Sequence, residues 1–243
     1  MSLNKAGAVI KEVLNRAGWD LRRSKNIPQI TLLGLKTRPI RTVVDVGANK
    51  GQFARRFAEV YPRARFFCFE PLHEPFQELA RWSNSRGGRV TTHNVALGSD
   101  ERTIDMKLHT AHPTSSSILD TTGLQIELYP ETKEQKVVQV QQTTLDASLS
   151  EEELDDDILV KLDVQGYEDR VIAGGANIFS RASACIAEVS LDSLYQGQAR
   201  FSTILKLLGD AGLEYAGNLE QMYANDGHCI YLDAMFVRAH STA

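Results

Sequence analysis

Cysteine is scarce. The 243 residues hold three, Cys68, Cys185 and Cys229, an odd number with no regular spacing. That excludes a disulfide framework and a zinc knuckle, and a chain of this length buries enough apolar surface to need neither. Cys68 and Cys185 lie in the apolar runs FFCFE and ACIAEV and read as small hydrophobes of buried strands. Long apolar runs are lacking too: none approaches the ~18 residues of a membrane span. The opening stretch MSLNKAGAVIKEVLNRAGW has no signal-peptide core. It reads as an amphipathic helix, with Val9, Val13 and Leu14 on one face and Lys5, Lys11 and Arg16 elsewhere. The cytoplasm is the expected location, and residues 1–40 are expected to form a helical extension. Basic charge is not in excess. The formal net charge is -4, and Arg22, Arg23 and Lys25 are the best basic cluster. The chain has no global pull toward nucleic acid or anionic lipid. Repeats and low-complexity tracts are absent.

What is present is short apolar runs alternating with helical periodicity. Residues 41–47, RTVVDVG, form a β-branched run ending in Asp and Gly, the form of a buried parallel strand stopping at a ligand-facing edge. A helix follows over 51–60, then a strand over 65–70, a helix opened by Pro71, and a strand with its exit turn over 90–97. Alternating segments at 102–109 and 136–145 read as added strands, separated by the polar loop HPTSSS. Residues 158–164, 184–190 and 229–237 read as further strands, and 201–211 as a helix. The acidic connector SEEELDDD reads as solvated. Strands too apolar to face water, alternating with helices, predict a doubly wound α/β sheet covered on both faces. Ligands of such sheets bind outside the carboxyl ends of the strands, where Asp45, Glu70, Asn94, Asp163 and Glu188 all fall.

Residues 45–51, DVGANKG, make a strand-to-helix turn with glycines at 47 and 51. Glycine suits sharp turns and close backbone approach. Glu70 follows Gly51 by 19 residues, where an acid can accept both ribose hydroxyl hydrogens of an adenosine. A dinucleotide is the rival ligand. A pyrophosphate needs G-x-G-x-x-G and an open helix N-terminus, and a carboxylate at Asp45 repels it. The same carboxylate can hold the cationic amino group of an amino acid. S-adenosylmethionine (SAM) carries both an adenosine and an amino-acid tail.

Together VVDVGANKGQF, FFCFEP, HNVALG, TSSSIL, ILVKLDVQGYE, IAEVS and DAMFVR resemble the FkbM-type methyltransferase family over about residues 40–240. The usual fourth segment of that family looks like L-K-I-D-V-E-G-x-E, and this chain has Leu162 for Ile and Gln165 for Glu. The resemblance implies a Rossmann-like class I fold with a seven-stranded, mostly parallel sheet. It also implies SAM-dependent O-methylation of a sugar or natural-product hydroxyl. It implies that Asp45, Gly47, Ala48, Asn49 and Gly51 form the amino-acid side of the SAM site. Glu70 and Pro71 would lie at the ribose, Asn94, Val95 and Ala96 beside the adenine, and Asp163 near the sulfonium.

A sugar hydroxyl is a poor nucleophile at neutral pH, so a base or a metal should help remove its proton. Asp163, Glu168, Glu188, His112 and His228 are the candidates. Asp163 is either a base or a contact of SAM. Glu168 reads equally as a helix N-terminal group. Asp163 and Glu188, on neighbouring strand ends, are the candidate ligands of a divalent ion such as Mg²⁺. His112 sits in the polar loop. Lys161 shares a strand face with Asp163 and either pairs with an acid or runs out to solvent. Three functions stay open: O-methyl transfer to a glycan or glycolipid sugar, methyl transfer to a small natural product, and a catalytically silent SAM-binding scaffold. The acceptor is then a small molecule or glycan, with no nucleic acid. The N-terminal helix and the acidic connector are candidate homodimer contacts.

Overall fold

A computed structural model of the chain describes residues 11–20, 22–109 and 113–239. Seven strands form one sheet: β1 (Thr42–Val46), β2 (Arg65–Phe69), β3 (Val90–His93), β7 (Ile158–Leu162), β8 (Ala182–Ser190), β9 (Leu213–Tyr223) and β10 (Cys229–Arg238), in the order β3-β2-β1-β7-β8-β10-β9. β1 pairs in parallel with β2 and β7, as do β2 with β3 and β7 with β8, whereas β10 runs antiparallel to β8 and β9. This is the expected Rossmann-like, doubly wound, mostly parallel sheet.

The central strands read as unbroken apolar runs because both their faces are covered. Alternate residues serve opposite sides. Val44, Val46, Phe67, Phe69, Val160 and Leu162 pack against the helices Glu168–Ala173, Ala176–Arg181 and Phe201–Asp210. Val43, Phe66, Cys68 and Leu159 pack against the helices Gln52–Val60 and His73–Asn84, together with Leu32 and Leu35. Asp45, Lys161 and Asp163 share the odd-numbered face with Val43 and Leu159, on the side of helix Gln52–Val60. Cys68 and Cys185 are buried and free, as read from their runs.

The expected strand and exit turn over 90–97 divide between two sheets. β3 stops at His93, and Ala96–Leu97 (β4) joins a second sheet with β5 (Arg102–His109) and β6 (Gln135–Thr143). Asn94 lies between the two, and its side-chain amide donates to the carbonyls of Glu70 and Pro71 at 2.8 and 3.0 Å. That polar link turns the chain out of the main sheet. Ile104, Met106 and Val140 then bury their faces against Leu72 and Ala96. The small sheet roofs the carboxyl end of β2. No helix among the described residues is long and apolar enough to cross a membrane.

Candidate functional site

The turn after β1 is built on left-handed backbone at Gly47 (φ +79°), Asn49 (φ +48°) and Gly51 (φ +84°). The amides of Gly47 and Ala48 both donate to the Phe69 carbonyl, tying the turn to β2. A Cβ on Gly47 would lie 1.9 Å from the Asp163 carbonyl oxygen. Glycine there lets the turn and the exit of β7 lie side by side. Gly51 serves the other end, where its Cβ would meet Leu79 of the next helix at 2.9 Å.

Glu70 is buried at the end of β2. One carboxylate oxygen accepts from the Asn49 amide and the other from the Leu72 amide, both at 2.8 Å. Each oxygen retains a lone pair. Burial pushes the carboxyl up to about 7, against the two backbone donors. Asp45 is also pushed up to about 7, by burial first, with the Lys161 ammonium opposing. Its Oδ2 is buried with no hydrogen-bond partner among the described residues. An orphaned buried carboxylate oxygen calls for a donor from outside the chain.

Both acids face one cavity of about 380 Å³ at the carboxyl ends of β1, β2 and β7. Gly47, Ala48, Asn49 and Pro71 line it on the turn side, Val95, Ala96 and Leu97 on the apolar side, and Met106, Thr114, Ser116 and Ile118 on the roof. Asp163, Lys161 and Gln165 form the far wall. Of the residues expected at a cofactor, only Gly51 and Asn94 stand outside the lining. Gly51 packs two helices together, and Asn94 braces the β2 exit.

At the far wall Lys161 is buried and its ammonium donates to Asp233 at 2.8 Å, with Asp163 at 3.8 Å. Burial would lower its pKa, but Asp163, Asp233 and Glu188 overcome that and raise it. Lys161 thus pairs with an acid rather than running out to solvent. Beside it, the Gln165 amide donates to Asp163 Oδ1 at 2.9 Å and to Glu188 Oε1 at 2.7 Å. The Tyr195 hydroxyl donates to Gln165 Oε1 at 2.5 Å. Glu188 is pushed well above the usual carboxylate range by burial and then by Asp163. Nothing in sequence spacing points to Tyr195, 30 residues downstream of Gln165; Asp233 opens the DAMFVR segment, 70 residues downstream of Asp163, but nothing in that segment signals its meeting with Lys161.

The remaining candidates stand apart from the cavity. Glu168 is buried, and its carboxylate accepts from the Val164 and Gly166 amides at 3.2 Å each, bracing the turn that carries Gln165. His228 is paired with Asp192 and Asp226 in the β9–β10 turn region. His112 lies outside the described residues. The Mg²⁺ expectation meets a donor set that does not suit it. Among the described residues no group of three or more His, Cys, Asp or Glu side chains is arranged to hold a metal, and an amide stands between Asp163 and Glu188.

The raised carboxyls make a pH prediction. A carboxyl whose folded pKa lies above its unfolded value gives stability that is full below the unfolded pKa and is lost as pH rises through the folded one. Asp45, Glu70 and Glu168, each near 7, should therefore destabilise the free chain between about pH 4.5 and about pH 7. A cationic, hydroxyl-bearing ligand needs Asp45 and Glu70 ionised. Its amino group stays charged below about pH 7.7. The melting shift induced by SAM should accordingly grow from about pH 5.5 to about pH 7.5. A thermal-shift series with a flat or declining increment would remove the two acids from the ligand site.

A model of the methyltransferase FkbM domain matches residues 45–216. The 2-O-methyltransferase NoeI of Sinorhizobium fredii is 31% identical over 189 residues, covering 73% of this chain and 74% of its own length. Among solved structures, the chain is similar to methyltransferase FkbM from Methylobacillus flagellatus, at 13% identity and a TM-score of 0.48. That match covers 82% of this chain, which spans only 44% of the other. It is also similar to the SAM-bound magnesium protoporphyrin IX methyltransferase ChlM from Synechocystis, at 12% identity and a TM-score of 0.47, over 96% of each chain.

Proposed function

Since the chain belongs to the FkbM methyltransferase domain family and is a SAM-dependent methyltransferase, we propose that it methylates a hydroxyl oxygen of a sugar, free or in a glycan or glycolipid. The relative NoeI is a 2-O-methyltransferase, which supports the oxygen acceptor. The observation that carries the site is the placing of Asp45, Glu70 and Asp163 around one cavity at neighbouring strand ends.

SAM supplies the methyl group on a sulfonium that is itself a strong leaving group. Asp45 Oδ2, buried without a partner among the described residues, would accept from the amino group of the tail. The free lone pairs of Glu70 would accept from the ribose hydroxyls, while its bonds to the Asn49 and Leu72 amides keep the carboxylate in position. Val95, Ala96 and Leu97 line the apolar side of the cavity and would form the adenine wall. The chain must hold the acceptor oxygen roughly 3–3.5 Å from the methyl carbon and in line with the breaking bond. Asp163 takes the hydroxyl proton on Oδ2, the oxygen that the Gln165 amide does not use, and the Gln165 amide and Lys161 ammonium fix its orientation.

Glu70→Ala should weaken SAM affinity at least about tenfold, since hydrogen bonds to a charged group are worth roughly 1.5–3 kcal/mol. Calorimetry giving the parent affinity would take Glu70 out of the ribose position. The function itself is tested by following S-adenosylhomocysteine release over a panel of sugars and glycolipids, with mass spectrometry of the product. O-methylated sugar supports the reading. Tight SAM binding with no turnover on any hydroxyl acceptor points to a silent binding protein instead.

A further inference from the structure

We propose that the Gln165 side-chain amide stands where a divalent cation would otherwise bridge Asp163 and Glu188, so that this acid pair works without a metal. The inference rests on the methyltransferase reading only for the reaction the pair serves.

Gln165 is held by everything around it. Its backbone is left-handed, φ +54°, a conformation that a residue with a Cβ keeps only where its surroundings impose it. Glu168 accepts from the amides on either side of it, Val164 and Gly166. Ser117 Oγ donates to its carbonyl at 2.8 Å. At the tip, the Tyr195 hydroxyl decides which way the amide faces. Burial and then Glu188 raise the Tyr195 pKa, so the phenol stays protonated; its hydroxyl lies 2.5 Å from Oε1 and 3.2 Å from the Ser115 carbonyl, and it donates along the shorter contact, to Oε1. The amide nitrogen then faces the two acids, and both its hydrogens are used, at 2.9 and 2.7 Å. The flipped amide would set its oxygen against the Asp163 carboxylate oxygen with no hydrogen between them.

Two carboxylates aimed at one point repel unless a proton, a cation or donors lie between them. A Mg²⁺ or Ca²⁺ ion would sit roughly 2.0–2.6 Å from each oxygen, in the space the amide nitrogen fills. The remaining positive charge comes from Lys161, 3.8 Å from Asp163 Oδ2. A neutral bridge takes up Asp163 Oδ1 and leaves Oδ2 without a hydrogen bond, its only neighbour among the described ion pairs being Lys161 at 3.8 Å, which leaves it open to accept a proton. Gln165 is in this sense a positioning residue that acts through Asp163.

The test is a Mn²⁺ titration of the full chain, read by electron paramagnetic resonance of free Mn²⁺ and by thermal melting, with S-adenosylhomocysteine present throughout. The parent chain should bind no stoichiometric Mn²⁺ and gain no melting temperature from it. Gln165→Glu adds a third carboxylate at the same point. It should bind one Mn²⁺ per chain at least about tenfold tighter than the parent, because oxygen-ligand charge sets such affinities. Adding Asp163→Asn to Gln165→Glu should remove that binding. Should the Glu variant fold poorly alone, its stabilisation by Mn²⁺, absent from the parent, reads the same site. Stoichiometric Mn²⁺ on the parent chain that Asp163→Asn abolishes would overturn the proposal, as would a Gln165→Glu chain that neither binds Mn²⁺ nor is stabilised by it. No methyl acceptor enters the experiment, so its failure is separate from a failure of the O-methyltransferase reading.

Discussion

Gly47→Ala should abolish SAM binding and lower the melting temperature far more than the loss of a single glycine elsewhere. Two effects add at this position. The backbone is left-handed at φ +79°, which costs a residue with a Cβ roughly 1–2 kcal/mol. The new methyl would also lie 1.9 Å from the Asp163 carbonyl oxygen, a backbone atom that cannot swing away as a side chain can. Either the β1 turn opens or the exit of β7 moves, and each shift separates Asp45 from Asp163 across the cavity they share. Gly197→Ala isolates the first effect, because Gly197 has φ +71° and open space where a Cβ would go. For a chain of this size about 1 kcal/mol shifts the melting temperature by roughly 2–4 °C. Gly197→Ala should therefore lose a few degrees and keep its SAM affinity. Gly47→Ala should lose at least about twice as much and show no SAM-induced shift. Equal losses in the two variants, with SAM still bound by both, would mean that the turn is not part of the cofactor site.

The central sheet was legible because burial on both faces writes itself into the chain as continuous apolar runs. β1, β2, β7 and β8 each stop within two residues of where their runs end, since a polar residue marks the edge. β9 escaped. Leu213–Tyr223 is an edge strand, mostly exposed, with Leu213 and Leu219 its buried residues, so no period stands out. The segments at 102–109 and 135–143 alternate as strands should, but period two says nothing about which sheet a strand joins. That is decided by the Asn94 link and by the fit of Ile104 and Met106 over Leu72. At the site, Asp45, Glu70 and Asp163 could be read because each ends an apolar run at the same edge. Gln165 could be read only as a missing acid. Its role depends on Tyr195 and Glu188, which folding brings from 30 and 23 residues away, and no local pattern encodes that meeting.

Asp163→Asn is the sharpest test of the chemical step, because it keeps the shape of the side chain and removes its charge. The Asn oxygen can still accept from the Gln165 amide, so the turn after β7 should keep its form. Lys161 retains its shorter bond to Asp233 at 2.8 Å, which limits the loss of pairing inside the fold. In the proposed site Asp45 and Glu70 are the main holders of SAM, and their hydrogen bonds do not involve Asp163, so SAM affinity should stay within a few fold of the parent. What disappears is the carboxylate oxygen, Oδ2, proposed to take the acceptor's proton. Turnover should then fall by at least about 10²-fold, the low end for general base catalysis, equivalent to about 2.7 kcal/mol of transition-state stabilisation. Measuring SAM affinity by calorimetry and turnover by S-adenosylhomocysteine release separates the roles. A fall in turnover at constant affinity makes Asp163 the base. A parallel fall in both makes it a contact that positions SAM. Full turnover by Asp163→Asn on a genuine acceptor would clear Asp163 of either role, and Glu188, held across the same amide, would be the next carboxylate to change.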